Sequence, residues 1–152
     1  MSIQFDEQAK LLTLSTAASV YQMQIDELGF LRHLYYGHPA GQQDMSYQMI
    51  NNDYAFSGNP AERRYDRNYS LDIIPQEFTS CGVGDFRLNS IAVINADGSR
   101  TACFKYVKHE IRKGKYAILQ LPAVYDNGDE AETLVVTLRD DVTGLMVRLY
   151  YG

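Results

Sequence analysis

From Ile3 onward the chain runs as short apolar or alternating stretches separated by turn residues, and a 3.6-residue helical period hardly appears. Successive side chains of a strand point to opposite faces, so this two-residue beat describes strands half buried in a sheet. The first stretches are Ile3 to Phe5, Leu11 to Ser15, Val20 to Ile25 and Phe30 to Tyr36, joined by Asp6 to Lys10, Thr16 to Ser19 and Glu27 to Gly29. Connections this short predict an antiparallel meander. Further strands are predicted at Tyr69 to Ile74, Ser90 to Ile94 and Thr101 to Val107. The last two are joined through Asn95-Ala96-Asp97-Gly98, whose Asp-Gly pair supplies the positive φ of a tight hairpin. The clearest hairpin is Thr133 to Arg139, a turn over Asp140-Asp141-Val142-Thr143-Gly144, and a return from Leu145 to Tyr151. The expected fold is all-β, an antiparallel β-sandwich.

A chain of 152 residues, with no internal repeat or dividing linker, is predicted to form one domain around one core. The balance of 14 basic against 19 acidic side chains gives a net charge of −5, which argues against a nucleic-acid or anionic-membrane surface. Neutral sugars remain compatible with it. The polar, charged opening MSIQFDEQAK is unlike a secretory signal, and no apolar run is long enough to span a membrane. Cys81 and Cys103 have neither the number nor the spacing of a disulfide framework or zinc site, so free thiols and a cytoplasmic location are expected. Twelve tyrosines accompany no tryptophan, and several, such as Tyr35, Tyr36, Tyr150 and Tyr151, occupy strand positions. Packing on a pleated surface explains them more simply than sugar stacking.

The alternation stops after Gly37. From His38 to Asn68 the chain is polar, rich in Asn, Gln, Arg and Tyr, and broken by Pro39, Gly41, Gly58 and Pro60. A loop this long in a compact domain is uncommon, and is usually either functional or disordered. Its candidates are Asn51-Asn52-Asp53-Tyr54-Ala55-Phe56-Ser57, followed by Arg63, Arg64 and Arg67. The Asp53 carboxylate is an acceptor suited to sugar hydroxyls, and equally to an Asx turn or a neighbouring arginine. Asp85-Phe86-Arg87, preceded by Gly82 and Gly84, reads as a tight turn with a local ion pair. His33, His38 and His109 lack ligand spacing, and Lys113-Gly114-Lys115 lacks a phosphate-loop frame, so no metal and no cofactor are expected. His109 and Glu110 are expected on a strand, one facing inward and one outward.

Several ordered segments carry a family resemblance: Gly29-Phe30-Leu31-Arg32-His33-Leu34-Tyr35-Tyr36-Gly37; Tyr69-Ser70-Leu71-Asp72; Glu77-Phe78 with Cys81-Gly82-Val83-Gly84-Asp85-Phe86-Arg87; His109-Glu110-Ile111-Arg112-Lys113-Gly114-Lys115 running into Leu121-Pro122-Ala123-Val124-Tyr125; and Glu130-Ala131-Glu132-Thr133-Leu134 with Thr143-Gly144-Leu145. In this order they closely resemble the start of the bacterial α-galactosidases of glycoside hydrolase family 36. Members often have tryptophan where this chain has Tyr36. The resemblance implies the N-terminal part of a β-supersandwich, galactose mutarotase-like in fold, followed in the parent enzyme by a (β/α)₈ barrel and a C-terminal β domain. It also implies removal of terminal α-galactose from melibiose and raffinose-type sugars with retention. That mechanism uses two carboxyl groups about 5–5.5 Å apart. Both are aspartates of the barrel, expected beyond Gly152, so residues 1–152 are expected to be inactive alone. The abrupt end after an apolar strand reads as a cut. Asp53 and Arg67 match positions where the family carries an aspartate and an arginine, and in tetrameric members this loop helps to form the galactoside site. A homo-oligomeric parent is therefore expected.

Two other classes compete. A free-standing carbohydrate-binding module requires an exposed row of aromatics and a finished C-terminus. A mutarotase-like enzyme requires a His and Glu constellation in the sandwich cleft, and fold analogy alone does not supply one.

Overall fold

The computed structural model describes residues 1–39, 43–50, 52–53, 58–122 and 130–152. Among these residues there are two antiparallel sheets. The first has the order β1-β2-β3-β4, with β1 (Ser2–Asp6), β2 (Leu11–Ser15), β3 (Val20–Ile25) and β4 (Leu31–Gly37). The second has the order β5-β6-β7, with β5 (Phe104–Lys113), β6 (Glu132–Asp140) and β7 (Met146–Tyr151). Short 3-10 turns occur at Met45–Gln48 and Ala61–Arg63.

Local chemistry sets the hairpins. Asp6 Oδ1 accepts from the amides of Gln8 and Ala9, which tightens the β1–β2 turn. Between β6 and β7, Asp140 Oδ1 accepts from the Val142 amide, and Gly144 takes the φ of +73° that closes the turn. Alternation then directs Leu12, Leu14, Met23, Ile25 and Leu31 inward against Phe104, Leu134, Val136 and Leu138 of the second sheet. Each such fully buried side chain contributes about 1.5–3 kcal/mol relative to exposure.

The β3–β4 ladder is not regular. Gln22 pairs with Tyr35 and Met23 with His33, so Leu34 is an extra residue on β4. This bulge sends Leu34 to the outer face, where it packs with Leu11 and with Met45 of the polar loop. Gln22 completes the attachment: its Oε1 accepts from the Met45 amide and its Nε2 donates to the Gln43 carbonyl. The bulge is thus what seats the start of the loop on the sheet.

Two predicted strands are corrected. Residues 69–74 form a turn in which the Ser70 carbonyl accepts from the amides of both Ile73 and Ile74. Tyr69, Leu71 and Ile74 are buried together with Phe30 in a second cluster, so their apolar character serves a turn and not a ladder. Residues 90–94 place Ile91 and Val93 against the main core, but they belong to no sheet. The turn at Asn95–Gly98 does close, with Gly98 at φ +82°. The edge of β4 is covered by residues 75–77: the His33 amide donates to the Pro75 carbonyl and the Glu77 amide to that of Leu31.

Candidate functional site

The polar loop is anchored to the sandwich along its described length. Its first part rests on Gln22 and Leu34, as above. Its second part carries Glu62, which receives Lys105 Nζ of β5 at 2.7 Å, and Arg63, whose Nη2 lies 2.7 Å from Glu27 Oε1 in the β3–β4 turn. The hydrogen bond from Lys105 holds the Glu62 carboxyl below its usual range. Asn59 Nδ2 donates to the carbonyls of Arg63 and Asp66, and the Gly58 backbone rests on Gly84, leaving no space for a Cβ at either position.

On this frame Arg67 Nε donates to Asp53 Oδ1 at 2.8 Å. Sequence reasoning singled out both residues, and the structure brings them together. The two side chains are 57% and 62% exposed, and an ion pair so wetted contributes only about 0–1 kcal/mol to stability. The pair is therefore not needed to hold the loop. Arg64 lies over the Tyr65 ring, 4.6 Å from its centroid, beside the same stretch. Asn51 and the run from Tyr54 to Ser57, also singled out, lie outside the described residues, as do Gly41 and Ala123-Val124-Tyr125.

The Asp85-Phe86-Arg87 triplet is a structural ion pair, as its glycine-rich context predicts. The Asp85 side chain is fully buried and receives Arg87 Nε and Nη2 at 2.9 and 2.7 Å, and Gln76 Nε2 at 2.8 Å. Burial pushes the Asp85 carboxyl upward, but the hydrogen bonds and charge of Arg87 outweigh it and hold it below the usual range. Arg87 also donates to the carbonyls of Leu71 and Ile74, fixing the corrected turn. His109 and Glu110 lie on β5 as predicted. His109 packs 4.3 Å from the Phe5 ring, while Glu110 faces outward between Lys108 and Arg112, which lower its carboxyl to about 2.

One constellation escaped sequence reasoning. Glu77 Oε1 accepts from the Tyr21 hydroxyl at 2.6 Å and from His33 Nδ1 at 3.1 Å, and Oε2 accepts from the Tyr151 hydroxyl at 2.9 Å. Burial, followed by the Glu77 carboxylate, pushes both phenols well above their usual range. A histidine and a glutamate thus do meet between the sheets. The Glu77 side chain is only 6% exposed, however, and both oxygens are occupied, so the group joins β3 and β4 to β7 instead of offering a base to a substrate. The partners are 44, 56 and 74 residues from Glu77, and no local spacing signals such a contact.

Comparison with known proteins agrees with this geometry. The glycosyl hydrolase family 36 N-terminal domain model matches residues 29–152. The chain is 43% identical, over 100% of its length, to the bifunctional alpha-galactosidase/sucrose kinase AgaSK of Mediterraneibacter gnavus, of which it covers 16%. It is 36% identical, over 98% of its length, to an alpha-galactosidase of Lactobacillus acidophilus, of which it covers 20%. Among solved structures, the galactosidase domain of AgaSK superposes on 99% of the chain with a TM-score of 0.93 at 42% identity, the match covering 21% of that domain. An alpha-galactosidase of Geobacillus stearothermophilus solved in complex with raffinose gives a TM-score of 0.85 at 36% identity over 93% of this chain and 20% of its own. The chain spans about a sixth to a fifth of the length of the relatives it matches.

Proposed function

The chain belongs to the glycosyl hydrolase family 36 N-terminal domains, and from that premise we propose that it is the non-catalytic first domain of a cytoplasmic, retaining α-galactosidase. The observation that carries this reading is the match of 99% of the chain, at 42% identity, to the galactosidase domain of AgaSK. The substrate class is a terminal α-galactoside of the melibiose or raffinose type, consistent with the raffinose complex of the Geobacillus relative. In this reading a barrel following residue 152 supplies both catalytic aspartates, and the domain contributes to assembly, the complete enzyme being a homo-tetramer.

Within that assembly, Asp53 and Arg67 line the galactoside site. What supports this role is their exposed, weakly stabilising contact on a loop that the sandwich anchors at several points. Rigid frames commonly carry binding groups on such loops. In the complete enzyme, loss of a hydrogen bond from a charged group costs roughly 1.5–3 kcal/mol, so Asp53→Ala is expected to lower kcat/KM by roughly 10- to 100-fold. The melting temperature should remain near the wild-type value. Steady-state kinetics with melibiose and thermal unfolding test both parts. Wild-type kinetics combined with lost thermal stability or lost tetramer would make Asp53 a structural residue.

A further inference from the structure

Arg67 lies in the last of three linked turns. The Arg63 amide donates to the Pro60 carbonyl, the Asp66 amide to the Arg63 carbonyl, and the Tyr69 amide to the Asp66 carbonyl. Tyr69 at the far end is buried with Phe30 and Leu71, but residues 61–68 are all exposed or half-buried, so no apolar side chain among them anchors the turns. The ion pairs of Glu62 with Lys105 and of Arg63 with Glu27 hold side chains upstream of the Asp66–Arg67 peptide.

One side chain ties the turns together. Asn59 Nδ2 donates to the carbonyls of both Arg63 and Asp66, and the second of these belongs to the peptide that leads into Arg67. A carboxamide nitrogen carries two hydrogens, one for each carbonyl; a serine hydroxyl carries one and an ionised aspartate none. Asn59 is itself held from both sides. The Gly58 backbone before it rests against Gly84, and the buried Pro60 after it, at φ −61°, keeps Asn59 out of the helical region.

We propose that Asn59 is a positioning residue for the galactoside site: by holding the Asp66 carbonyl it fixes the backbone from which Arg67 reaches the sugar. The proposal rests on the reading that Arg67 lines that site. Asn59 acts through the main chain, since the Arg67 Nε–H goes to Asp53 and the Asn59 amide to the two carbonyls. A displacement of about 1 Å in a positioned group can cost roughly 100-fold in rate, so a small rotation of this peptide is enough to matter.

A double-mutant cycle in the complete enzyme tests this, with steady-state kinetics on melibiose and a melting curve for each variant. Arg67→Ala and Asn59→Ala should each lower kcat/KM roughly 10-fold, with the loss carried by KM. In the Arg67→Ala background, Asn59→Ala should change kcat/KM by less than about 2-fold, because its route to the substrate is already gone. Should Asn59→Ala not assemble, Asn59→Ser, which serves one carbonyl but not both, takes its place in the cycle. An asparagine that only stabilises the fold would lower the melting temperature and reduce kcat/KM by the same factor in both backgrounds. That additive result, a loss confined to kcat, or unchanged kinetics for Asn59→Ala beside an impaired Arg67→Ala would overturn the proposal and leave the site reading standing. Unchanged kinetics for Arg67→Ala would overturn the site reading, and the proposal with it.

Discussion

His109 shows how one side chain couples the sandwich to pH. Its ring lies against Phe5 and its Nδ1 is 2.7 Å from the Tyr106 hydroxyl, so the imidazole sits on the inner face of β5. Burial alone depresses its pKa from the ordinary 6.5. A base whose folded pKa is depressed takes up its proton in the unfolded chain first. Its contribution to stability is therefore complete above pH 6.5 and is lost as the pH falls through the lower folded value. The melting temperature of the wild type should decline over that interval, and His109→Gln should flatten the decline while leaving the other two histidines untouched. Identical slopes for the two proteins, measured by thermal unfolding at a series of pH values, would remove His109 as the cause. The exposed ion pairs behave differently. Glu110 is held near 2 by Lys108 and Arg112, yet its solvent exposure leaves the pair little influence on folding.

At the level of strands and turns, the two sheets are joined by more than apolar contact. Glu77 holds Tyr21 of β3, His33 of β4 and Tyr151 of β7 at once. Glu77→Ala leaves two half-buried phenols without their acceptor and should cost about 1–3 kcal/mol in urea unfolding. Glu77→Gln retains an acceptor and should cost less. An alanine variant with wild-type stability would show that apolar packing alone joins the sheets. This joint is also where sequence reasoning reaches its limit. The positions of β1 to β4 and of the β6–β7 hairpin are legible because alternation and turn residues are local. Residues 90–94 alternate equally well, with Ile91 and Val93 inward, but alternation reports burial and says nothing about a ladder partner. The apolar run from Tyr69 looks like a strand because Arg87 fixes it as a turn through the backbone carbonyls of Leu71 and Ile74, a contact that no residue type in the run announces. Asp53 and Arg67 are close enough in sequence to be considered together, whereas Glu77 and its tyrosines are not.

For the molecule as a whole, the second sheet leaves its surface unfinished. The outer edge of β7 has no ladder partner among the described residues, and unpaired backbone along an edge is a template for another chain. Exposed apolar side chains accompany it: Met146 on β7 itself, and Ile94, Val142 and Leu145, which line one surface depression. Val142 is 92% exposed, which a lone apolar residue tolerates but a cluster seldom does without a covering surface. In residues 1–152 alone, edge and patch remain available to a second copy, and self-association is the expected outcome. The net charge of −5 opposes association at long range, so added salt should strengthen it. Replacing Val142 and Met146 by lysine places charges on the patch and on the edge strand without touching the core, and should shift the distribution towards monomer. Sedimentation velocity over a wide concentration range, at low and high salt, measures both effects. A wild-type chain that stays monomeric throughout, or a double variant that associates as strongly as the wild type, would show that this edge and patch do not drive assembly.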